Sequence, residues 1–510
     1  MITLKKIFKK LCRVNNVVNN DNSLRQRDIV NESPLPTDRI TFLFSNSTNL
    51  LDKEYIDFIA EELKIPSENV RNSLERIISE FKTDVSCCIE YPYVDMYYRD
   101  TYYSYFAKKH SDYNRYCFRI SFFDKDITYE NFHNIENLSK KFYGYIVLRP
   151  TKQRTIGYCF ISPQVYKENN FLCCLYKRTV SIYGRKLVVW GFPFCGQDGE
   201  MITCAETSLM LMLDYFSHKY SRYREILPSD IVKLLSNHTT ERLLPSKGLN
   251  SEIMSQVLSS LGLDVRIYYR GEKNAAYSKK DFKKYLYTYI DSGFPIQVST
   301  TNHSFLIIGR EKKIGINNVK LVTIDDNERP YKLLDFNKEI ISFSVPFYEK
   351  IYLEADVIDI KTVRDIWKDK FRDLETHIGA RGYISRSFIT SSRSYKEYIS
   401  KMKVGKTGEH FLCISMPKFI WVYEIINKKE IQENNIKETL ISSVFLFDAT
   451  EGNDSSHNFI IAKIGDSVIL KTTDETMYRK TIYKRFDKCE EKFTIFAGNL
   501  KGYCNKWQNF

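Results

Sequence analysis

The chain is poor in the residues that build linkers and repeats. Glycine contributes 20 and proline 13 of its 510 residues, which excludes collagen-like and linker-dominated architectures. No apolar run reaches the ~18–20 residues of a membrane-spanning helix, so no transmembrane segment is expected. No segment repeats at a fixed period, which excludes solenoids and propellers. CxxC pairs, HExxH and GxSxG are all missing, so neither a structural zinc knuckle nor a zincin or serine-hydrolase signature is present. A dense Lys/Arg block is also missing. Lys and Arg number 76 against 63 Asp and Glu, a net charge of +13, but the basic residues are spread along the chain. That pattern reads as a Lys-rich surface, and nucleic acid is not the expected partner.

What is present points to a folded, multidomain protein. Hydrophobic residues make up 43% of the chain, enough for a sizeable core, and a chain of this length predicts two to four domains at ~100–200 residues each. The twelve cysteines do not read as a disulfide framework. The chain is too large to need staples, and Lys interrupts every apolar stretch of the opening MITLKKIFKKLCRV, which leaves no secretory core. A reducing cytoplasm with free thiols is the expected setting. Ile2, Leu4, Ile7 and Leu11 would share one face of a short basic helix, with surface membrane binding as its weaker reading.

Four stretches differ in texture. Residues 1–140 form a Tyr- and Phe-rich mixed unit. It is polar and Asn-rich to about 45, with helical spacing over 51–82 and Ser67 as a cap. Residues 141–190 alternate short β-rich runs: YGYIVLRP, TIGYCFIS, FLCCLYKRTVSI and KLVVWGF. Residues 191–345 open with the loop GFPFCGQDGE. Helices follow at 204–220, near 230–236 and from 251 to 261, and then the strands VRIYY, PIQVST, SFLIIGR and VKLVTID. Residues 346–510 carry a charged helix near 361–375, another near 392–402, and strands including HFLCISM. The expected class is α+β, with helices preceding an antiparallel sheet in the central domain and mixed α/β units on either side.

Four residues in the central stretch carry chemistry. Cys204 opens the helix CAETSLMLMLDYF, where unpaired N–H groups and the helix dipole favour a thiolate nucleophile. Gln197, seven residues earlier on a glycine-flanked loop, supplies a side-chain amide for an oxyanion hole alongside the Cys204 N–H. His303 opens the strand SFLIIGR and suits a general base toward the thiol and an acid toward the leaving amine. Asp325 ends the next strand and would orient the imidazole, with Asp326 as the alternative because one residue of register changes the face. His218 reads as a core or surface histidine. Cys195 reads as packing, or less often as a redox neighbour of Cys204. No cofactor or metal ligand set is expected.

These residues resemble a known family. Q-D-x(5)-C-A at Gln197–Ala205 is similar to the nucleophile motif of papain-like cysteine peptidases, and most similar to their bacterial leader-peptidase-like branch, which trims bacteriocin precursors. PSKGLNSEIMSQVLSSLGLDVRIY, FPIQVSTTNHSFLIIGR and VTIDDNERPY follow in the order of that branch. The resemblance covers roughly residues 190–340. It implies a papain-like fold there, with Cys204 as nucleophile, His303 as base, Asp325 as orienter and Gln197 in the oxyanion hole. Asp326 and Asn327 stand where that branch often has proline, and the leader substrate is not carried over.

Other signals are weaker. GKT at Gly405–Thr407 lacks the first glycine of a phosphate loop, because Ser400 occupies that position. GDS at Gly465–Ser467 reads as a hairpin turn. Arg381, Arg386 and Arg393 read as a solvated face. The leading functional expectation is a thiol hydrolase, a cysteine peptidase acting on a protein or peptide substrate. Acyl transfer or deamidation by the same residues is the alternative, and a non-catalytic binding module the third reading. The flanking units are expected to recognise a regulatory protein partner.

Overall fold

The computed structural model describes residues 41–239, 243–271, 279–315, 317–336, 339–358, 363–365, 368, 380–402, 405–432, 436–452, 458–474 and 480–502. The apolar face at Ile2, Leu4, Ile7 and Leu11 lies outside them, and the helix expected near 361–375 lies almost entirely outside. The chain is α+β, with every strand pairing antiparallel to its mapped neighbours. It divides into two compact units. The first draws on 41–169, 175–249 and 324–331, the second on 170–174, 250–323 and 332–502. The stretch 191–345 therefore contributes to both.

The first unit is built on a seven-stranded sheet in the order β1-β2-β3-β4-β5-β8-β7. Its strands are β1 (Thr41–Asn46), β2 (Ser86–Tyr93), β3 (Cys117–Phe123), β4 (Phe142–Leu148), β5 (Tyr158–Ile161), β7 (Tyr176–Ile182) and β8 (Arg185–Cys195). Central β3 is buried at all seven positions. Edge strand β7 alternates buried and exposed, as a strand with one wet face must. Tyr183 (φ 43°) and Gly184 (φ 77°) join β7 to β8, the two consecutive positive φ values of a tight hairpin turn.

Helices α1 (Lys53–Leu63) and α2 (Ser67–Ile78) bury Ile56, Ile59, Leu63, Val70, Leu74 and Ile77. Phe58 of α1 packs edge-on against Phe118 of β3. Ser67 is the first helical residue rather than the cap, and its hydroxyl donates to Asp57 at 2.8 Å. Pro66 takes the cap position because its fixed φ suits the extended residue before a helix. Helices α3 (Met96–Ser104), α4 (Cys204–Lys219) and α5 (Pro228–Leu235) complete the unit. Segment 324–331 is anchored here by Tyr331. Its buried hydroxyl accepts from the Phe192 N–H (2.7 Å) and donates to the Ile161 carbonyl (2.7 Å).

The second unit has two sheets. One runs β13-β12-β11-β10-β14-β9, with β6 also beside β11. It comprises β6 (Phe171–Cys173), β9 (Leu263–Tyr269), β10 (Ile296–Ser299), β11 (Ser304–Glu311), β12 (Leu321–Ile324), β13 (Lys332–Leu334) and β14 (Ser342–Tyr348). The other is a meander of β15 (Tyr383–Ser391), β16 (Phe419–Asn427), β17 (Ser443–Asp448), β18 (Phe459–Ile464), β19 (Ser467–Asp474) and β20 (Lys480–Phe486). Gly465 and Asp466 make the hairpin turn from β18 to β19. Helices α6 (Ser251–Ser260), α7 (Lys279–Asp291), α8 (Ser392–Lys401) and α9 (Lys406–Cys413) pack on these sheets.

Three local readings change. FLCCLYKRTVSI is not one strand: β6 joins the second unit and β7 the first, with the break at Cys174–Leu175. Gly309 permits β6 to dock, since a Cβ there would lie 2.1 Å from the Leu172 carbonyl oxygen. Residues 279–291 form a helix between the strands VRIYY and PIQVST, where the sequence reading assigned no element. Phe282, Tyr285, Leu286, Tyr289 and Ile290 are buried at helical spacing. HFLCISM falls mostly in α9 rather than in a strand. The Lys396 ammonium donates to the Leu412 (2.8 Å) and Ile414 (2.6 Å) carbonyls and so satisfies the end of that helix.

Candidate active site

The start of α4 is set by its own side chains. Thr203 is extended (φ −104°, ψ −169°), and its N–H donates to the Glu206 carboxylate at 3.1 Å. The Thr203 hydroxyl reaches the same oxygen at 2.5 Å, and Ser246 donates to the other. This is the capping-box chemistry that fixes where a helix begins. Every residue from Ala205 to Phe216 is buried, so α4 is a core helix with little freedom to shift. Cys204 is its first residue and is only partly buried. Among the described cysteines, the others are buried except Cys413. Burial pushes the Cys195 thiol up to about 12, so it is protonated near neutrality.

The loop before Cys204 is closed on itself. The Asp198 N–H donates to the Ile202 carbonyl at 3.1 Å. One Asp198 carboxylate oxygen accepts from the N–H groups of Glu200 (2.9 Å), Met201 (2.7 Å) and Ile202 (3.0 Å). Gln197 precedes this closed turn and Cys204 follows it, so two residues seven apart flank one pinned loop. Gln197 is half-buried. Gly196 lies against the neighbouring strand, with its carbonyl accepting from Arg149 at 2.7 Å. The second Asp198 oxygen is buried without a hydrogen-bond partner. Burial lifts this carboxyl above its usual range despite Arg149 and the N–H donors. Neither Asp198 nor Glu206 was singled out in the sequence. The signal available was the Asp-Gly pair in GQDGE, which favours a turn closed by the Asp side chain.

The two acidic candidates occupy different settings within the first unit. The Asp325 carboxylate accepts from the Asn327 N–H at 2.9 Å and its carbonyl from the Glu328 N–H at 3.0 Å, a turn closed by its own residues. Asp326 is buried and pairs with Arg154 at 3.3 Å, while its carbonyl accepts from Arg76 at 3.0 Å. Arg154 also donates to the Asn327 side chain at 2.6 Å. Asp326 is thus a strut of the first unit, and Asp325 is the more exposed of the pair.

His303 belongs to the second unit, whereas Gln197, Cys204, Asp325 and Asp326 belong to the first. It sits in the short connection between β10 and β11, where Ser299 pairs with Ser304. Its carbonyl accepts from the Thr300 N–H (2.8 Å) and hydroxyl (3.1 Å), which closes the turn. The ring is half-buried and lies nearly parallel to Phe305, 5.8 Å away.

His218, near the far end of α4, is more than a packed histidine. Its ring stacks on Tyr176 at 4.2 Å, with Nδ1 3.1 Å from Asp214 and Nε2 3.6 Å from Glu225. Arg178 lies 3.2 Å from Asp214 and 3.3 Å from Glu225. Two carboxylates therefore face one arginine and one imidazole.

Comparison with protein-family models and with curated proteins finds no match to this chain. Among the described residues, no helix is long and apolar enough to cross a membrane.

Proposed function

We propose that the chain is a thiol-dependent hydrolase, a cysteine peptidase of papain-like type over residues 191–345, which cleaves peptide or isopeptide bonds through an acyl-enzyme. Cys204 Sγ attacks the scissile carbonyl while His303 takes the thiol proton and passes it to the leaving amine. Water then adds to the thioester and gives its proton to His303. The acid is released and Cys204 regenerated. Asp325 holds the imidazole in register, and the Gln197 amide with the Cys204 N–H receives the oxyanion.

The observation that carries this reading is the position of Cys204. It is a partly exposed thiol, the first residue of a buried helix, and it directly follows a loop pinned by Asp198. A thiol at that position faces first-turn N–H groups that no intrahelical bond uses.

The test is labelling of the full-length protein with an acyl-enzyme-forming, thiol-reactive probe and mapping of the adduct by mass spectrometry. Selective labelling of Cys204, lost in Cys204→Ala and reduced at least tenfold in His303→Ala, is the expected result. Labelling at Cys204 that is indifferent to His303 overturns the Cys–His assignment.

A further inference from the structure

The second unit holds a cavity of about 320 Å³ lined by α7, the β11–β12 connection and the first half of β15. Among the described residues, strand β15 is the edge of its sheet, paired on one side only, to β16. The direction of its main-chain groups follows from bonds at its flanks. The Ile389 N–H leaves the sheet to reach the Ser292 hydroxyl at 2.8 Å, and the Ile389 carbonyl accepts from Asn499 at 2.7 Å. The carbonyl of Gly382, at an even position, accepts from the Lys428 N–H at 2.9 Å. The carbonyl of Ile425, the β16 partner of Ser385, turns the other way, to the Ser442 N–H of the next strand, at 2.8 Å. Odd-numbered residues of β15 therefore point their N–H and C=O groups away from β16.

Two such residues, Ser385 and Ser387, line the cavity. Among the described residues their outward N–H and C=O groups have no hydrogen-bond partner. Ser385 is exposed and Ser387 only 4% exposed, so the outward main-chain groups of the edge lie at the cavity wall, within reach of whatever enters it. At Ser387 the Thr288 hydroxyl of α7 lies 3.4 Å from the Ser387 hydroxyl, and beyond it the edge is closed by Ser292, just after α7. The walls are charged. Lys284, Arg310, Arg386 and Lys428 line the cavity against two carboxylates, Asp281 and Asp291. Arg310 is committed to Asp291 at 2.9 Å and to the Gly315 and Lys313 carbonyls, and Arg386 to the Phe496 carbonyl at 2.9 Å, with Glu424 at 3.6 Å and Asp291 at 3.8 Å.

We propose that this cavity is a docking slot for an extended acidic peptide that adds as a further strand to β15. Outward-facing residues 383 to 387 span about 13 Å at ~3.3 Å per residue, room for a strand of four or five residues. Main-chain bonds to Ser385 and Ser387 would supply affinity, and the net positive lining, with Lys428 at its rim, would select carboxylate side chains. The slot does not depend on Cys204, so it stands or falls separately from the hydrolase reading.

The test uses full-length protein and a fluorescent peptide of alternating Glu and Val, five residues long, read by anisotropy. Saturable binding is expected. It should weaken at least tenfold when Lys replaces Glu in the peptide, when alternate peptide nitrogens are methylated, and in Ser385→Pro. The Ser385 N–H lies outside the β15–β16 ladder, so proline removes the donor and leaves the sheet intact, and an unchanged melting temperature confirms that. Lys428→Gln provides a second variant, with an expected loss of at least threefold. No saturable binding overturns the proposal. So does binding that ignores methylation, or that inorganic phosphate alone displaces; either would mark a simple anion site.

Discussion

His218 and Asp214, one turn apart on α4, face each other with Nδ1 3.1 Å from the carboxylate. The Asp214 carboxylate is buried, which works against its charge. Bonds from His218 and Tyr158 and the charge of Arg178 outweigh that cost and hold it below its usual range. The hydrogen bond to Asp214 in turn lifts the His218 imidazole above its ordinary value. A histidine raised on folding contributes stability that is complete below its unfolded value, about 6.5. That contribution is lost as pH rises through the folded value. Urea unfolding at a series of pH values should therefore show stability falling above about pH 6.5. His218→Gln should flatten that part of the profile.

Glu424 of β16 gives a second pH dependence with the same sign. Its carboxyl is completely buried, and burial raises it to about 7 in spite of Arg386. One oxygen accepts from the Phe496 N–H at 3.0 Å, while the other, 3.6 Å from Arg386, makes no hydrogen bond. The folded state holds this proton more tightly than the unfolded chain, so stability falls as pH rises from about 4.5 to about 7. Glu424→Gln keeps an acceptor for Phe496 and removes the titration. Its unfolding free energy should change less across that window than that of the wild type.

Asp198 tests the pinned loop. Asp198→Ala deletes the acceptor for three N–H groups and should cost about 1–3 kcal/mol. It should also slow thiol labelling at Cys204 at least tenfold. Asp198→Asn retains an acceptor oxygen of the same shape, so most of the labelling rate should survive. Equal rates in all three proteins would show that the loop does not position Cys204.

The capping network offers a simpler measurement. Glu206 is buried and accepts from Thr203 and Ser246. Glu206→Ala should lower stability by about 1–2 kcal/mol, the usual cost of a lost cap. Glu206→Gln should cost less than half of that, because an oxygen still faces Thr203.

Gly309→Ala should be among the most damaging small substitutions. The added carbon would lie 2.1 Å from the Leu172 carbonyl oxygen and 2.4 Å from the Cys173 side chain. Relief requires β6 to move off β11, at a cost of about 1–3 kcal/mol or more. Faster hydrogen exchange at Cys173 and Cys174, whose N–H groups are bonded within the second unit, should report it.

The amino-acid order determined the local elements. The helical spacing after Asp52, the apolar run Leu209–Leu213 in the helix opened by Cys204, and alternation or dense β-branching in most strands are visible without a fold, because periodicity is a property of neighbours. It also marked Cys204 as the first residue of a helix and Gln197 as lying on the loop before it. Where local signals conflicted, the reading failed. Helix α7 has no counterpart in the sequence reading, and HFLCISM, read as a strand, falls mostly in helix because Thr407 and Phe411 are drawn into the core.

Tertiary structure alone decided the rest. That Asp326 pairs with Arg154 turned on a contact 172 residues away in sequence. The split of one β-rich run between two units turned on Gly309. The open edge of β15 turned on which strand the chain supplied as its neighbour. Strand pairing and burial are long-range choices, and an apolar run that suits one sheet suits several. Only the packed chain selects among them.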